Sequence, residues 1–289
     1  MFTIENTHLT VIISAKGAEL QSIYNKQAQL EYMWSGDAAF WGKRSPILFP
    51  VVGALKEDRY YFDNKAYHLG RHGFARDMEF ALLSKTGNAA SFRLESNAET
   101  LAQFPFAFRF DISYELTQNS LKVTYLVSNT GKSALYFSVG GHPAFKVPLA
   151  GGTAYKDYYL EFNHPEHAGR WPISKDGLIE NKPVELLNDT DRLPLSKALF
   201  QQDALVFKGL SSNSVDLKSA KTEHGLSFDF TGFPYLGIWA AKNADFVCIE
   251  PWCGIADNVS ADQQLVNKEG IHMLQPSKTF ERSWSVTVF

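Results

Sequence analysis

Three short segments mix imidazole, carboxylate and guanidinium side chains with glycine, proline and aromatic residues: Leu69 to Arg76, Gly140 to Phe145, and Cys248 to Asp257. A fourth, Arg44 to Pro50, sets one cation before an apolar run. His142 directly follows a strand-like run and two glycines, which permit tight or left-handed backbone or close approach to a ligand. Pro143 fixes the exit. A histidine that merely closes a turn would have the same neighbours. Glu250 follows Phe246 to Ile249, a run that reads as a buried strand. A carboxylate at the end of such a strand must be paired, hydrogen-bonded or shifted in pKa, because burying it alone is costly. The alternative role is a structural ion pair, with Arg44 or Lys268 as partner.

His72 lies between Arg71 and Gly73, with Arg76 four residues on. Two flanking cations depress imidazole basicity, so a neutral, hydrogen-bonding histidine is expected. The segment also reads as a basic surface loop, or as an anion cradle, since guanidinium forks match phosphate geometry. Asp203 opens a strand-like run and serves either as a turn cap or as a ligand group. Trp252, Phe145 and Phe49 offer flat faces for sugar stacking, but with 22 phenylalanines in the chain a core role is the stronger claim for any single one. Asp257 reads as a turn or loop residue. The chain has no Gly-x-Ser-x-Gly elbow, no phosphate-binding P-loop, no dinucleotide fingerprint and no His-Glu-x-x-His. Acid–base chemistry by histidine and carboxylate remains, with neither cofactor nor metal expected.

The elements that must position these groups read as strands. Phe104, Phe106, Phe108, Phe110, Ile112, Tyr114 and Leu116 are apolar at every second position, with Arg109, Asp111, Ser113 and Glu115 among the intervening residues. That is the period of a strand with one wet face. The polar turn 117–120 follows, then Leu121, Val123, Tyr125 and Val127, a second turn at 129–132, and Leu135, Phe137 and Val139. This predicts a three-strand meander running into His142. Hairpins are expected at 60–69 around Asp63 to Lys65, and at 80–94 around Thr86 to Asn88. Helical period is nearly absent; only 195–201 and 261–265 are candidates for short turns of helix. Residues 148–155 and 164–192 read as long loops, which in a compact domain often border a site. The expected fold is all-β, a large antiparallel sandwich forming one domain over residues 1–289.

Composition narrows the function classes. The 289 residues are 45% hydrophobic and 20% charged, with a formal net charge of -3. No basic cluster suits a nucleic acid or an anionic membrane. Cys248 and Cys253, with four residues between them, are too few for a disulfide scaffold and read as two reduced thiols. The first residues lack a basic signal region, and no apolar run approaches the ~20 residues of a membrane span. A cytoplasmic protein acting on a small molecule is the expectation.

Arg71-His72-Gly73-Phe74-Ala75-Arg76, Gly140-Gly141-His142-Pro143-Ala144-Phe145 and Glu250-Pro251-Trp252, in this order, resemble the aldose 1-epimerase family. Within that galactose mutarotase-like group, the chain is most similar to the bacterial branch found beside lactose and tagatose genes. The resemblance extends from Gly17-Ala18-Glu19-Leu20 to Lys268-Glu269-Gly270-Ile271. It implies a β-supersandwich with an open cleft, His142 as general acid and Glu250 as general base, on opposite sides of the anomeric carbon of a sugar. It further implies that His72 and Arg44 bind substrate, with Asp203 at about the place of a substrate-binding aspartate. Arg44, Arg71 and Arg76 also resemble the arginine set that grips phosphate in the hexose-6-phosphate 1-epimerase branch. A free aldose, a sugar phosphate and a non-catalytic sugar-binding role are the readings carried forward.

Overall fold

The computed structural model describes residues 1–289, about 51% of them in strands and 8% in helical turns. Two antiparallel sheets carry most of the fold. The larger has nine strands, running from an edge at Val184–Pro194 through Tyr158–Arg170, Ser214–Ser219, Thr222–Asp229, Thr279–Val288, Ser120–Asn129, Phe108–Thr117 and Ala89–Glu95 to Ala81–Lys85. The smaller has six strands: Leu205–Lys208, Tyr235–Trp239, Phe246–Cys253, Val139–Gly141 and Ile47–Leu48 in order, with Ala144–Lys146 also paired to Phe246–Cys253. Phe108, Phe110, Ile112, Tyr114 and Leu116 turn one face of the large sheet inward. Phe49 stacks on Phe110 with ring centroids 4.6 Å apart, and Phe145 meets Phe228 edge-on at 5.9 Å. The sheets therefore pack face to face as a sandwich. One core cluster of 69 buried residues runs from Ile4 to Val288. At roughly 1.5–3 kcal/mol for each large apolar side chain buried, this core drives the fold.

The all-β expectation holds, with four local differences. Strands Phe108–Thr117 and Ser120–Asn129 pair as the alternation predicts, but Leu135–Phe137 leaves them to pair with His272–Leu274. The chain thereby crosses to the smaller sheet just before Val139–Gly141. Phe104 and Phe106 precede the strand rather than belonging to it. A helix unmarked by periodicity spans Ala98–Gln103, started by Asn97, whose side chain accepts from the Thr100 amide while the Thr100 hydroxyl accepts from the Asn97 amide. Much of 164–192 is not loop. Tyr158–Arg170 pairs with Val184–Pro194 through three register shifts at the sheet edge. Bulged and largely exposed there, these strands show little of the alternation that a buried face would impose.

No helix is long and apolar enough to cross a membrane. We propose that residues 1–289 unfold as one cooperative unit, as expected of one shared core. Tryptophan fluorescence and far-ultraviolet circular dichroism should then trace one coincident urea transition; two separated midpoints would divide the chain.

Candidate active site

The ladder between 139–146 and 246–253 keeps one antiparallel register: Val139 with Cys253 and Gly140 with Trp252, then Ala144 with Cys248 and Lys146 with Phe246. The Ile249 amide donates to the Pro143 carbonyl between them. His142 therefore falls directly opposite Glu250, 108 positions later in the chain. Opposed residues of an antiparallel pair point to the same face with neighbouring Cβ atoms. Their side chains meet accordingly, with His142 Nε2 3.3 Å from Glu250 Oε2. Glu250 lies inside the wholly buried strand Phe246–Cys253 rather than at its end.

Glycine makes this approach possible by lacking a side chain. A Cβ on Gly140 would sit 2.8 Å from Trp252, and one on Gly141 2.7 Å from the Tyr125 hydroxyl. Neither glycine has a positive φ, so of the roles open to this pair, close packing is the one used.

Both reactive groups are enclosed, His142 8% and Glu250 1% exposed. Burial opposes whichever form is charged. It pushes the His142 imidazole down to about 3, Arg71 and Arg76 adding to that and a backbone hydrogen bond opposing it. Burial also raises the Glu250 carboxyl well above the usual range, with Arg71 opposing and Asp203 adding. Burial thus disfavours the charged form of each group. His142 Nδ1, Glu250 Oε2 and Trp252 Nε1 are buried without a hydrogen-bond partner. Such orphans are rare in native structures.

His72 is held at φ 70°, a left-handed conformation that costs a non-glycine residue about 1–2 kcal/mol. Its amide donates to the Gly53 carbonyl (2.9 Å), and the Gly53 amide donates to His72 Nδ1 (3.0 Å). With Nδ1 accepting, a neutral His72 carries its proton on Nε2 and donates from there. Burial, then His142, Arg71 and Arg76, hold it well below the usual histidine range, so the expected neutral imidazole has enclosure as its first cause.

These groups line a cleft of about 410 Å³ with Trp41, Pro46, Arg71, Arg76, Phe200, Asp203, Trp239, Lys242 and Trp252. Trp41 stacks on the His142 ring at 5.0 Å, and Trp239 meets it edge-on at 5.5 Å. Arg71 reaches Asp203 at only 3.5 Å, and Arg76 donates to the Arg71 carbonyl. A larger cavity of about 610 Å³ lies elsewhere, between Glu31, Trp34, Arg44, Lys146 and the 148–153 loop. It holds no histidine, and its Glu31 carboxylate is already occupied by Ser22 and two backbone amides.

Two residues expected at the site lie outside the cleft. The Arg44 carbonyl accepts from the Ala144 amide, yet its guanidinium turns to the Gln21 carbonyl and the larger cavity. Phe145 is one residue out of phase with the His142 face, so its ring enters the core. Nor does Lys268 or Arg44 pair with Glu250; Lys268 binds Asp257. Of 148–155, residues 148–153 line the larger cavity rather than the cleft, and 164–192 do not line the cleft. Trp41, Trp239 and Lys242 went unnoticed in the sequence because no periodicity or motif marks them.

The aldose 1-epimerase family profile matches residues 1–267. The chain belongs to that family. The chromosomal and plasmid LacX proteins of Lactococcus lactis subsp. lactis are each 34% identical over 295 residues, covering 99% of this chain and 98% of theirs. A galactose mutarotase related enzyme from Lactobacillus acidophilus superimposes with a TM-score of 0.95 at 37% identity, over 100% of this chain and 97% of its own. A galactose mutarotase-like protein from Lactobacillus casei gives 0.93 at 33%, over the full length of both. These relatives support the lactose-associated branch that the motifs resemble.

Enclosure of its imidazoles ties the protein's stability to pH. His72, His142 and His272 all have lowered pKa values when folded, so below pH 6.5 the unfolded chain binds more protons. The contribution of these histidines is fully present above 6.5 and falls as pH drops below it. The fall is up to about 1.4 kcal/mol per pH unit for each of the enclosed His72 and His142 and less for the part-buried His272, while the raised Glu250 carboxyl opposes part of it. Urea unfolding at pH 7.0 and 5.5 should show this loss, and His72→Asn should reduce the difference. An unchanged difference would mean that His72 is protonated when folded.

Proposed function

We propose that the protein is an aldose 1-epimerase, interconverting the α and β anomers of a hexose by opening and reclosing the ring. The observation that carries this is the His142–Glu250 pair, 3.3 Å apart on the floor of a cleft with unsatisfied polar atoms. The resemblance implied that acid and base flank the anomeric carbon from opposite sides. Adjacent groups serve equally well, because the anomeric hydroxyl and the ring oxygen share that carbon.

In this reading, sugar hydroxyls favour the ion-pair form of the couple, with the proton on His142, while Arg71 favours the Glu250 carboxylate. Glu250 then takes the proton of the anomeric hydroxyl while His142 protonates the ring oxygen. The bond from the anomeric carbon to the ring oxygen breaks and the aldehyde forms. The couple is left as carboxylic acid and neutral imidazole, the uncharged state that burial favours. Charge collapses as the ring opens, so a dry site favours that step over the bound ion pair. Rotation about the adjacent carbon–carbon bond, then reversal of both transfers, closes the ring on the other face. His72, donating from Nε2, would hold a sugar oxygen. Two buried, unpaired thiols agree with a cytoplasmic setting.

Anomer exchange followed by polarimetry or NMR, using freshly dissolved glucose and galactose, tests the proposal. A non-catalytic sugar binder would leave exchange at the buffer rate.

One observation favours a phosphorylated sugar. Lys242 lines the same cleft as Arg71 and Arg76 and has no ion-pair partner, while Asp203 meets Arg71 only loosely. Arg44 is not part of this set. If phosphate binds there, Lys242→Gln and Arg71→Gln should each lower kcat/KM for a hexose 6-phosphate roughly 10–100-fold, the worth of one charge-assisted hydrogen bond. Free-hexose turnover should change far less. Equal losses on both substrates would exclude this assignment.

A further inference from the structure

Beneath the acid–base pair lies a third group that this chemistry does not use. Cys248 precedes Glu250 by two residues on one strand, so both side chains project from the same face. His142 joins them across the ladder. A nitrogen of His142, the sulfur of Cys248 and a carboxylate oxygen of Glu250 all lie within 4.8 Å of one another, and all three residues are buried. Cys248 is fully enclosed, and Glu250 Oε2 has no hydrogen-bond partner. The sequence spacing hides this cluster, because its histidine comes from 106 positions before the cysteine.

We propose that His142, Cys248 and Glu250 form an inhibitory site for a soft divalent transition-metal ion such as zinc. The inhibition rests on the reading of His142 and Glu250 as the proton-transfer pair, since a metal bound there would occupy both. The donor set is thiolate, imidazole and carboxylate, which suits zinc, cadmium or cobalt and not magnesium or calcium. Zinc bonds of about 2.0–2.3 Å in tetrahedral array hold donor atoms roughly 3.3–3.6 Å apart. His142 Nε2 and Glu250 Oε2 already meet at 3.3 Å, and the three donors lie within 4.8 Å of one another, so a modest tightening reaches that array. The fourth position would face the cleft.

Charge balance favours the complex. Cys248 and Glu250 are both enclosed, 0% and 1% exposed. A dication bound to one thiolate and one carboxylate is neutral overall, so the enclosure that opposes each anion separately does not oppose the three together. Binding would expel the thiol and carboxyl protons to solvent through the cleft as the metal–sulfur and metal–oxygen bonds form. No oxidation or reduction is involved.

The test uses chelator-stripped protein titrated with Co²⁺, whose thiolate charge-transfer absorption reports a cysteine ligand independently of turnover, and with Zn²⁺ by calorimetry. Wild type should take up one ion per chain with a thiolate band, and Mg²⁺ should not bind. Cys248→Ala should lose the band and weaken zinc binding by at least roughly 10–100-fold, the loss that follows even from removing an outer partner of a ligand. Cys248→Ser, closer in shape, should behave the same if the alanine variant is poorly folded. Cys253→Ala should keep the band. Anomer exchange by Cys248→Ala should run near the wild-type rate and ignore zinc concentrations that silence wild type. Absence of a thiolate band, or zinc affinity undiminished in both Cys248 variants, would overturn the site. A protein that shows the band but never catalyses exchange would instead overturn the epimerase reading.

Discussion

Glu250→Gln should slow anomer exchange by ~10²–10⁴-fold while leaving the protein folded, because one positioned proton-transfer group contributes about that much. The substitution keeps the shape of a side chain that is 1% exposed on a wholly buried strand. It removes the ability to take a proton from the anomeric hydroxyl. Since burial already favours the uncharged carboxyl, the neutral amide should cost little stability. His142→Ala should lose a similar factor, with more structural consequence, because Trp41 would lose the ring on which it stacks. The double variant should be little slower than the worse single one, since in the proposed mechanism the two groups act as a unit and their losses do not add. Progress curves from freshly dissolved α-glucose give all three rates. Exchange by Glu250→Gln at the wild-type rate would remove the carboxylate from the mechanism.

The all-β architecture was readable because its signal is local. Phe108 to Leu116 alternate within one strand, and the turn at 117–120 needs no distant partner to be recognised. The bulged stretch 164–170 and its partner Val184–Pro194 read as loop for the converse reason: with little core to cover, they were under little pressure to alternate, unlike 158–162 just before them. At the site, residue types were legible and directions were not. His142 and Glu250 stand out in their segments, but only strand pairing sets them opposite each other. Arg44 and Phe145 come from equally suggestive segments, and there a turned side chain and a one-residue change of phase point them elsewhere. Trp41, Trp239 and Lys242 reach the cleft through tertiary packing alone.

Asp257 shows how far support for the site extends beyond the cleft. Lys268 Nζ donates to Asp257 Oδ1 and to the Ile255 carbonyl, both at 2.7 Å, and the pair is 2% and 4% exposed at the side chains. Asp257 Oδ2 accepts from the Lys56 amide, and the Asp257 amide donates to the Ala54 carbonyl. The pair thus fastens 255–257 to 54–56. Gly53, whose amide orients His72, lies so close to Ala256 that a Cβ there would come within 2.4 Å. Asp257→Ala should therefore destabilise the protein by about 3–5 kcal/mol, because it strands a buried ammonium that enclosure already disfavours. Lys268→Met should cost less, since Asp257 keeps its backbone partner. Replacing both, as Asp257→Leu with Lys268→Met, should recover part of the Asp257→Ala loss, because no unpaired charge remains, although the Lys56 amide still lacks its acceptor. Urea denaturation measures each difference. The kinetic signature separates positioning from chemistry: where Asp257→Ala remains folded, a loosened His72 should raise KM for the sugar more than it lowers kcat. A fall in kcat alone would mean that the Asp257 clamp acts on the proton-transfer pair rather than through His72.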